Sequence, residues 1–182
     1  PTRGGGCRGL KPAEVGRLVE GGSAFAGVVA GGGLRLSLAG AQDKLPVVKD
    51  GAELLMPTGA SASTHIAKFP SARFKHLTAN EVLTSLFARH CGLRVPDTEL
   101  VRFGAHLLCL VERYDRTPDG KAARRLHQED FCLALGLPPS QKYEKEGGPS
   151  AAACFRLVRE ASSAPPLDAQ ALVDWFGFHA MV

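Results

Sequence analysis

The 182 residues contain no CxxC pair, and none of the six histidines falls in an HExxH arrangement. The ligand spacings that build structural or catalytic zinc sites are therefore missing, and no metal ligand is assigned. No apolar run is long enough to form a signal peptide or a membrane span, because charged residues interrupt each one. A soluble chain without membrane contact is expected. There is no GxxxxGK[ST] segment, no internal repeat and no block of like charge. The net charge of +4 comes from scattered Lys and Arg rather than a basic stripe, so direct nucleic-acid binding has little support. The five cysteines, Cys7, Cys91, Cys109, Cys132 and Cys154, are odd in number, widely spaced and mostly set among apolar neighbours. They read as small buried hydrophobes in a reducing cytoplasm rather than as a disulfide framework.

With 45% hydrophobic and 22% charged residues, a core can form, as one domain or as two small lobes around a cleft. Residues 1–34 hold two Gly-rich stretches around a short helix from about Pro12 to Glu20, and read as a linker or the tail of a preceding subdomain. From Arg35 the texture changes to strand-like RLSL and KLPVV flanking AGAQD, followed by an extended THIAKF that carries Lys68 among apolar positions. Thr78 followed three residues later by Glu81 matches a capping box. Val82, Leu83, Leu86, Phe87 and Cys91 then recur at helical spacing, which predicts a helix over 79–91 stopped by Gly92. TELVRF and HLLCLVERY read as an antiparallel hairpin with an almost wholly apolar, central second strand. After a polar turn, TPDGKAAR, helices are predicted in HQEDFCLALGL, in SAAACFRLVREA up to Pro165 and Pro166, and from about Asp168 onward. Strands with one helix come first and helices afterwards, which predicts an α+β protein with a sheet lobe over 35–116 and a helical lobe over 117–182. Pro1 in place of a Met, and an apolar stripe through Leu172, Val173, Phe176 and Met181 with no cap after it, imply sequence beyond both ends.

Three places could carry chemistry. AGAQDK is either a hairpin turn or a loop whose small residues Ala39, Gly40 and Ala41 let backbone N–H groups approach phosphate oxygens. Lys68, inside an apolar strand, must snorkel to water or meet an anion. In kinase folds such a strand lysine binds the α- and β-phosphates and pairs with a glutamate on the next helix, here Glu81. The capping box competes for that same carboxylate. VERYDR places Glu112, Arg113, Tyr114, Asp115 and Arg116 where an apolar strand leaves the sheet, as a solvated strand end or as a hinge able to hydrogen-bond adenine.

RLSLAGAQDKLPVV, PTGASASTHIAKFP, NEVLTSLFARHCGLRVP, LVERYDR and LHQEDFCLALGLPPSQKYEKEGGP occur in order from Arg35 onward. Together they resemble the HipA toxin family. The resemblance implies a protein-kinase-like fold of ATP-dependent serine/threonine kinases, with LAGAQDK over the phosphates and Ala39, Gly40, Ala41, Gln42 and Lys44 as nucleotide contacts. It further implies Lys68 as the ATP lysine supported by Glu81, Glu112 and Tyr114 as hinge positions, and Asp115 near the nucleotide. Ser37 matches the serine whose autophosphorylation in the family disorders the phosphate loop. By the same resemblance the cofactors are ATP and Mg2+, and the partner is a HipB-like helix-turn-helix antitoxin, with DNA reached only through it. The resemblance also implies an aminoacyl-tRNA synthetase as the substrate. The family's catalytic loop, resembling N-x-D-x-H-x-x-N, and its metal-binding Asp are expected beyond Val182, so no catalytic residue is assigned here and phosphoryl transfer by this stretch alone is expected to be negligible. A truncated relative that binds nucleotide or antitoxin without catalysis, and a small interaction domain with no nucleotide site, are the alternatives.

Overall fold

Alternation of buried and exposed side chains along short strands organises the first part of the molecule. The computed structural model describes residues 5–21, 42–71, 74–119, 122–138, 140–141 and 143–182. It divides into two compact units, one drawing on the described residues up to His90 and on Arg94–Leu126, the other on Cys91–Leu93 and His127–Val182.

In the first unit β1 (Gly6–Gly9), β2 (Lys44–Asp50), β3 (Glu53–Thr58), β4 (His65–Lys68), β5 (Thr98–Phe103) and β6 (His106–Glu112) form one sheet in the order β1-β3-β2-β4-β6-β5. Every pairing in it is antiparallel. Leu45 and Val47 of β2, Leu54 and Met56 of β3, Ala67 of β4 and Leu108 and Leu110 of β6 are buried, together with Phe69. Leu10 and, from α1 (Pro12–Gly21), Val15 and Leu18 close the same core. Each such large side chain contributes about 1.5–3 kcal/mol of transfer free energy on burial. The α+β arrangement read from the sequence is the one found.

The β5–β6 hairpin forms as predicted, turning at Gly104, whose φ of 60° lies in the left-handed region. β6 is indeed internal, flanked by β4 and β5. Two strands of this sheet were not anticipated: β1, hidden in a Gly-rich stretch, and β3, whose ELLMPT pairs with both β1 and β2. Residues 6–21, set apart in the sequence reading as a linker or remnant, supply β1 and α1 to this sheet and core. The RLSL strand lies outside the described residues. Where a polar turn was expected, β7 (Arg116–Asp119) and β8 (Ala122–Arg125) pair as a two-stranded ribbon.

α2 (Leu77–His90) follows β4. It starts two residues before the predicted helix, with His76 in the left-handed region at φ 59° and Asn80 N–H donating to its carbonyl at 2.8 Å. Thr78 thus lies inside the helix and is buried.

In the second unit the helix expected across HQEDFCLALGL shrinks to α3 (Phe131–Ala134). Asp130 caps it by accepting from Leu133 N at 2.8 Å. Gly136, at φ 69°, ends it with N–H bonds from Gly136 to Leu133 O and from Leu137 to Cys132 O, the paired closure of a Schellman motif. α4 (Ala151–Ala161) is capped by Ser150 and packs on α5 (Pro165–Met181) through Phe155 and Phe176, whose ring centroids are 6.1 Å apart. Pro165 and Pro166 open α5 rather than close α4. A missing N–H costs nothing in the first turn of a helix. Among the described residues no helix is long and apolar enough to cross a membrane.

Candidate functional site

The strand pleat gives β4 two different faces. Ala67 turns into the core, so Ile66 and Lys68 take the opposite face, the one over which α2 lies. Register puts Lys44 of β2 and Cys109 of β6 beside Lys68 on that face, and Ile66 beside Val111. α2 buries Val82 and Ala88 and brings Glu81 to the strand lysine. Lys68 Nζ donates to Glu81 Oε1, with the two side chains 22% and 26% exposed. Of the two roles competing for Glu81, the ion pair forms and the capping box does not. The helix starts early enough to leave Thr78 within it, and the Glu81 carboxylate reaches across to the sheet instead of back to its own first turn.

Lys44 and Lys68 are therefore register partners on one strand face, and Glu81 reaches Lys68 from the helix. A half-buried strand face that carries lysines suits a polyanion such as a triphosphate. Half-buried Ile66 and Val111, cross-strand partners on the same face, offer an apolar surface toward the end of β6. Cys109 is not a nucleophile in this setting. Burial first, then the charge of Glu81, push its thiol up to about 12 against the opposing effect of Lys68.

Gln42 and Asp43, just before β2, are tied to the residue after β4. Gln42 Nε2 donates to Phe69 O at 3.0 Å, while Phe69 N–H donates to Asp43 O at 3.0 Å, directly after Lys68. Ser37, Ala39, Gly40 and Ala41 lie outside the described residues.

At the exit of β6, Glu112 N–H donates to Asp97 O at 2.8 Å and Arg113 N–H to Thr64 O at 2.9 Å. Glu112 is exposed, and the Tyr114 ring stands 71% exposed. Asp115 is different, being buried and held by two arginines. Its carboxylate accepts from Arg113 Nε at 2.9 Å, Arg113 Nη2 at 2.7 Å and Arg116 Nη1 at 2.6 Å. The hydrogen bond from Arg113, with the two guanidinium charges, holds that carboxyl below its ordinary range despite burial. Both arginines continue to Ser63, Arg116 Nε to its carbonyl at 2.8 Å and Arg113 Nη1 to its Oγ at 3.3 Å.

The sequence reading named Arg113 and Arg116 only as part of a strand end, and Ser63 not at all. The R-x-D-R spacing at the end of an apolar strand was the available signal, but its contact to Ser63 spans 50 residues of chain and has no local signature. Among the described residues no group of three His, Cys, Asp or Glu side chains is placed to hold a metal ion.

Residues 36–182 match the family model described as the HipA-like C-terminal domain. Over 151 residues the chain is 46% identical to the "Putative kinase Y4mE" of Sinorhizobium fredii, covering 82% of this chain and 36% of that protein. Over 143 residues it is 36% identical to the serine/threonine-protein kinase toxin HipA of Shewanella oneidensis, covering 78% of this chain and 33% of that protein. The chain thus spans about a third of the length of these curated relatives. Among solved structures, a Shewanella oneidensis complex of HipA, HipB and operator DNA superposes with a TM-score of 0.72 at 30% identity, over 95% of this chain and 43% of that one.

Proposed function

The chain belongs to the HipA-like C-terminal domain family, and from that premise we propose that its sheet unit is the nucleotide-binding part of an ATP-dependent serine/threonine protein kinase of a toxin–antitoxin system. The observation that carries the reading is the Lys68–Glu81 pair on the face shared with Lys44. Lys68 would neutralise α- and β-phosphate charge, Glu81 would hold the ammonium in place, and the backbone at Glu112–Tyr114 would meet the adenine edge beyond Ile66 and Val111. Gln42 would fix the foot of the loop that covers the phosphates, and Ser37 in that loop would be the site of silencing autophosphorylation.

Mg2+, when bound, would supply neutralisation of the phosphate charge. Glu81 and Asp115 do not fit it as ligands, since Glu81 is held by Lys68 and Asp115 by two arginines. The chain's one asparagine, Asn80, sits on α2. The catalytic-loop asparagine of kinases has no counterpart here, and for a polypeptide of these 182 residues we expect nucleotide binding without phosphoryl transfer. For the protein as a whole we propose an aminoacyl-tRNA synthetase as substrate and a cytoplasmic setting. By analogy with the Shewanella complex we add a HipB-like antitoxin through which DNA is reached.

The test is titration calorimetry of an ATP analogue against the chain and against Lys68→Met. Binding should be lost in the variant while its circular dichroism is unchanged. Equal affinity in the two would overturn the assignment of Lys68.

A further inference from the structure

We propose that Asp115, gripped by Arg113 and Arg116, is a positioning residue that holds the Glu112–Tyr114 backbone where adenine is read and does not itself touch the nucleotide. This rests on the nucleotide reading above and deepens it.

The argument starts from what the Asp115 carboxylate has left to offer. Oδ1 accepts from Arg113 Nε and Oδ2 from Arg113 Nη2 and Arg116 Nη1, all within 2.9 Å, and the side chain is 8% exposed. A carboxylate with three charge-assisted bonds and so little open surface is poorly placed to receive a ribose hydroxyl. The Asp115 carbonyl is also taken, by Arg116 Nη1 at 2.8 Å and Leu126 N–H at 3.0 Å.

What these bonds do is mechanical. The Arg113 fork closes on a residue two positions ahead and so folds the chain around Tyr114, leaving that ring exposed between two fixed neighbours. The same arginines reach the Ser63 hydroxyl and carbonyl, and Arg125 reaches Ser61 O at 3.3 Å. Residues 61–64 lead directly into β4, the strand of Lys68. The backbone proposed to read adenine and the strand proposed to bind phosphate are thereby locked to each other through one buried charge cluster. Hinge and lysine must keep a fixed separation if one ligand is to engage both.

The experiment compares the chain with Asp115→Asn, which keeps the shape but turns an amide donor toward an arginine. Affinities are measured by calorimetry for ATP, for 2′,3′-dideoxy-ATP and for inorganic tripolyphosphate, at a temperature where circular dichroism shows each protein folded. The variant should lose about tenfold in affinity for both nucleotides alike while tripolyphosphate binding changes by less than about twofold, because only the base-reading backbone has moved. A loss seen with ATP but not with the dideoxy nucleotide would mean that Asp115 contacts the ribose, and would overturn the proposal. Undiminished nucleotide binding by the variant would overturn it as well.

Amide exchange separates this outcome from failure of the underlying reading. If the wild-type chain binds no nucleotide, the nucleotide reading falls and takes the adenine role with it, even where the variant exposes the amides of residues 63–64 and 112–116. If the wild type binds and those amides stay protected in the variant, the clamp alone falls. Should Asp115→Asn not fold, Arg113→Lys keeps the charge but loses the fork and the Ser63 hydroxyl contact. The same pattern, smaller, is then expected of it, and an unchanged ratio of ATP to tripolyphosphate affinity would overturn the clamp.

Discussion

Replacing Glu81 by Gln should destabilise the chain more than replacing Lys68 by Met, although each change breaks the same ion pair. Two unit charges about 4 Å apart at an effective dielectric of about 20 attract by roughly 4 kcal/mol, and desolvation together with partial solvent access cancels most of it. With about a quarter of each side chain still exposed, a net coupling of about 1 kcal/mol remains. The asymmetry comes from what each change leaves behind. In Glu81→Gln the Lys68 ammonium, 22% exposed, keeps its charge on the strand face without the carboxylate that compensated it. In Lys68→Met an apolar side chain of similar length takes its place beside buried Cys109, and the Glu81 carboxylate, 26% exposed, turns to water. A double-mutant cycle by urea unfolding, followed by circular dichroism, should return a coupling of about 1 kcal/mol with Glu81→Gln the costlier single change. Additivity within about 0.3 kcal/mol, or a larger loss in Lys68→Met, would refute the reasoning.

Stability should also fall with pH below the ordinary histidine value of about 6.5. Burial, helped by Lys49, lowers the His65 pKa against the opposing charges of Glu112 and Glu99, so in that window the unfolded chain takes up a proton that the folded chain refuses. His65→Gln should flatten the slope of urea midpoint between pH 7 and 5, and an unchanged slope would assign the effect to other groups. A second loss of urea midpoint should begin as pH falls through the ordinary carboxylate range, because there the unfolded chain protonates Asp115 while the folded chain, with its pKa depressed, keeps it charged on its arginines. In the native chain at pH 8, exposed Cys7 and Cys91 should be alkylated readily while Cys109, buried and with its thiol pushed up to about 12, should resist. Labelling of Cys109 at the rate of Cys7 would show that the strand face under α2 opens.

The sequence by itself determined those features whose cause is local. The apolar run of HLLCLVE with Gly104 before it specifies the β5–β6 hairpin, and the helical spacing of Val82 with its neighbours specifies α2. The ordered motifs from Arg35 onward were enough to name the family, to place Lys68 in a strand and to put Glu81 on the following helix. What the sequence left open were questions of pairing across long stretches of chain. Nothing in ELLMPT says that it lies between β1 and β2, since both partners are chosen by a core that Leu10, Val15 and Leu18 complete from another part of the chain. Glu81 had two local uses, and the choice between them fell to the sheet, which offered an ammonium in place of a backbone N–H. Asp115 looked the same in sequence as any acidic strand end. Only the fold brings Ser63 beneath Arg113 and Arg116, and with it buries the carboxylate, because a charge can leave water only where partners distant in sequence are already waiting for it.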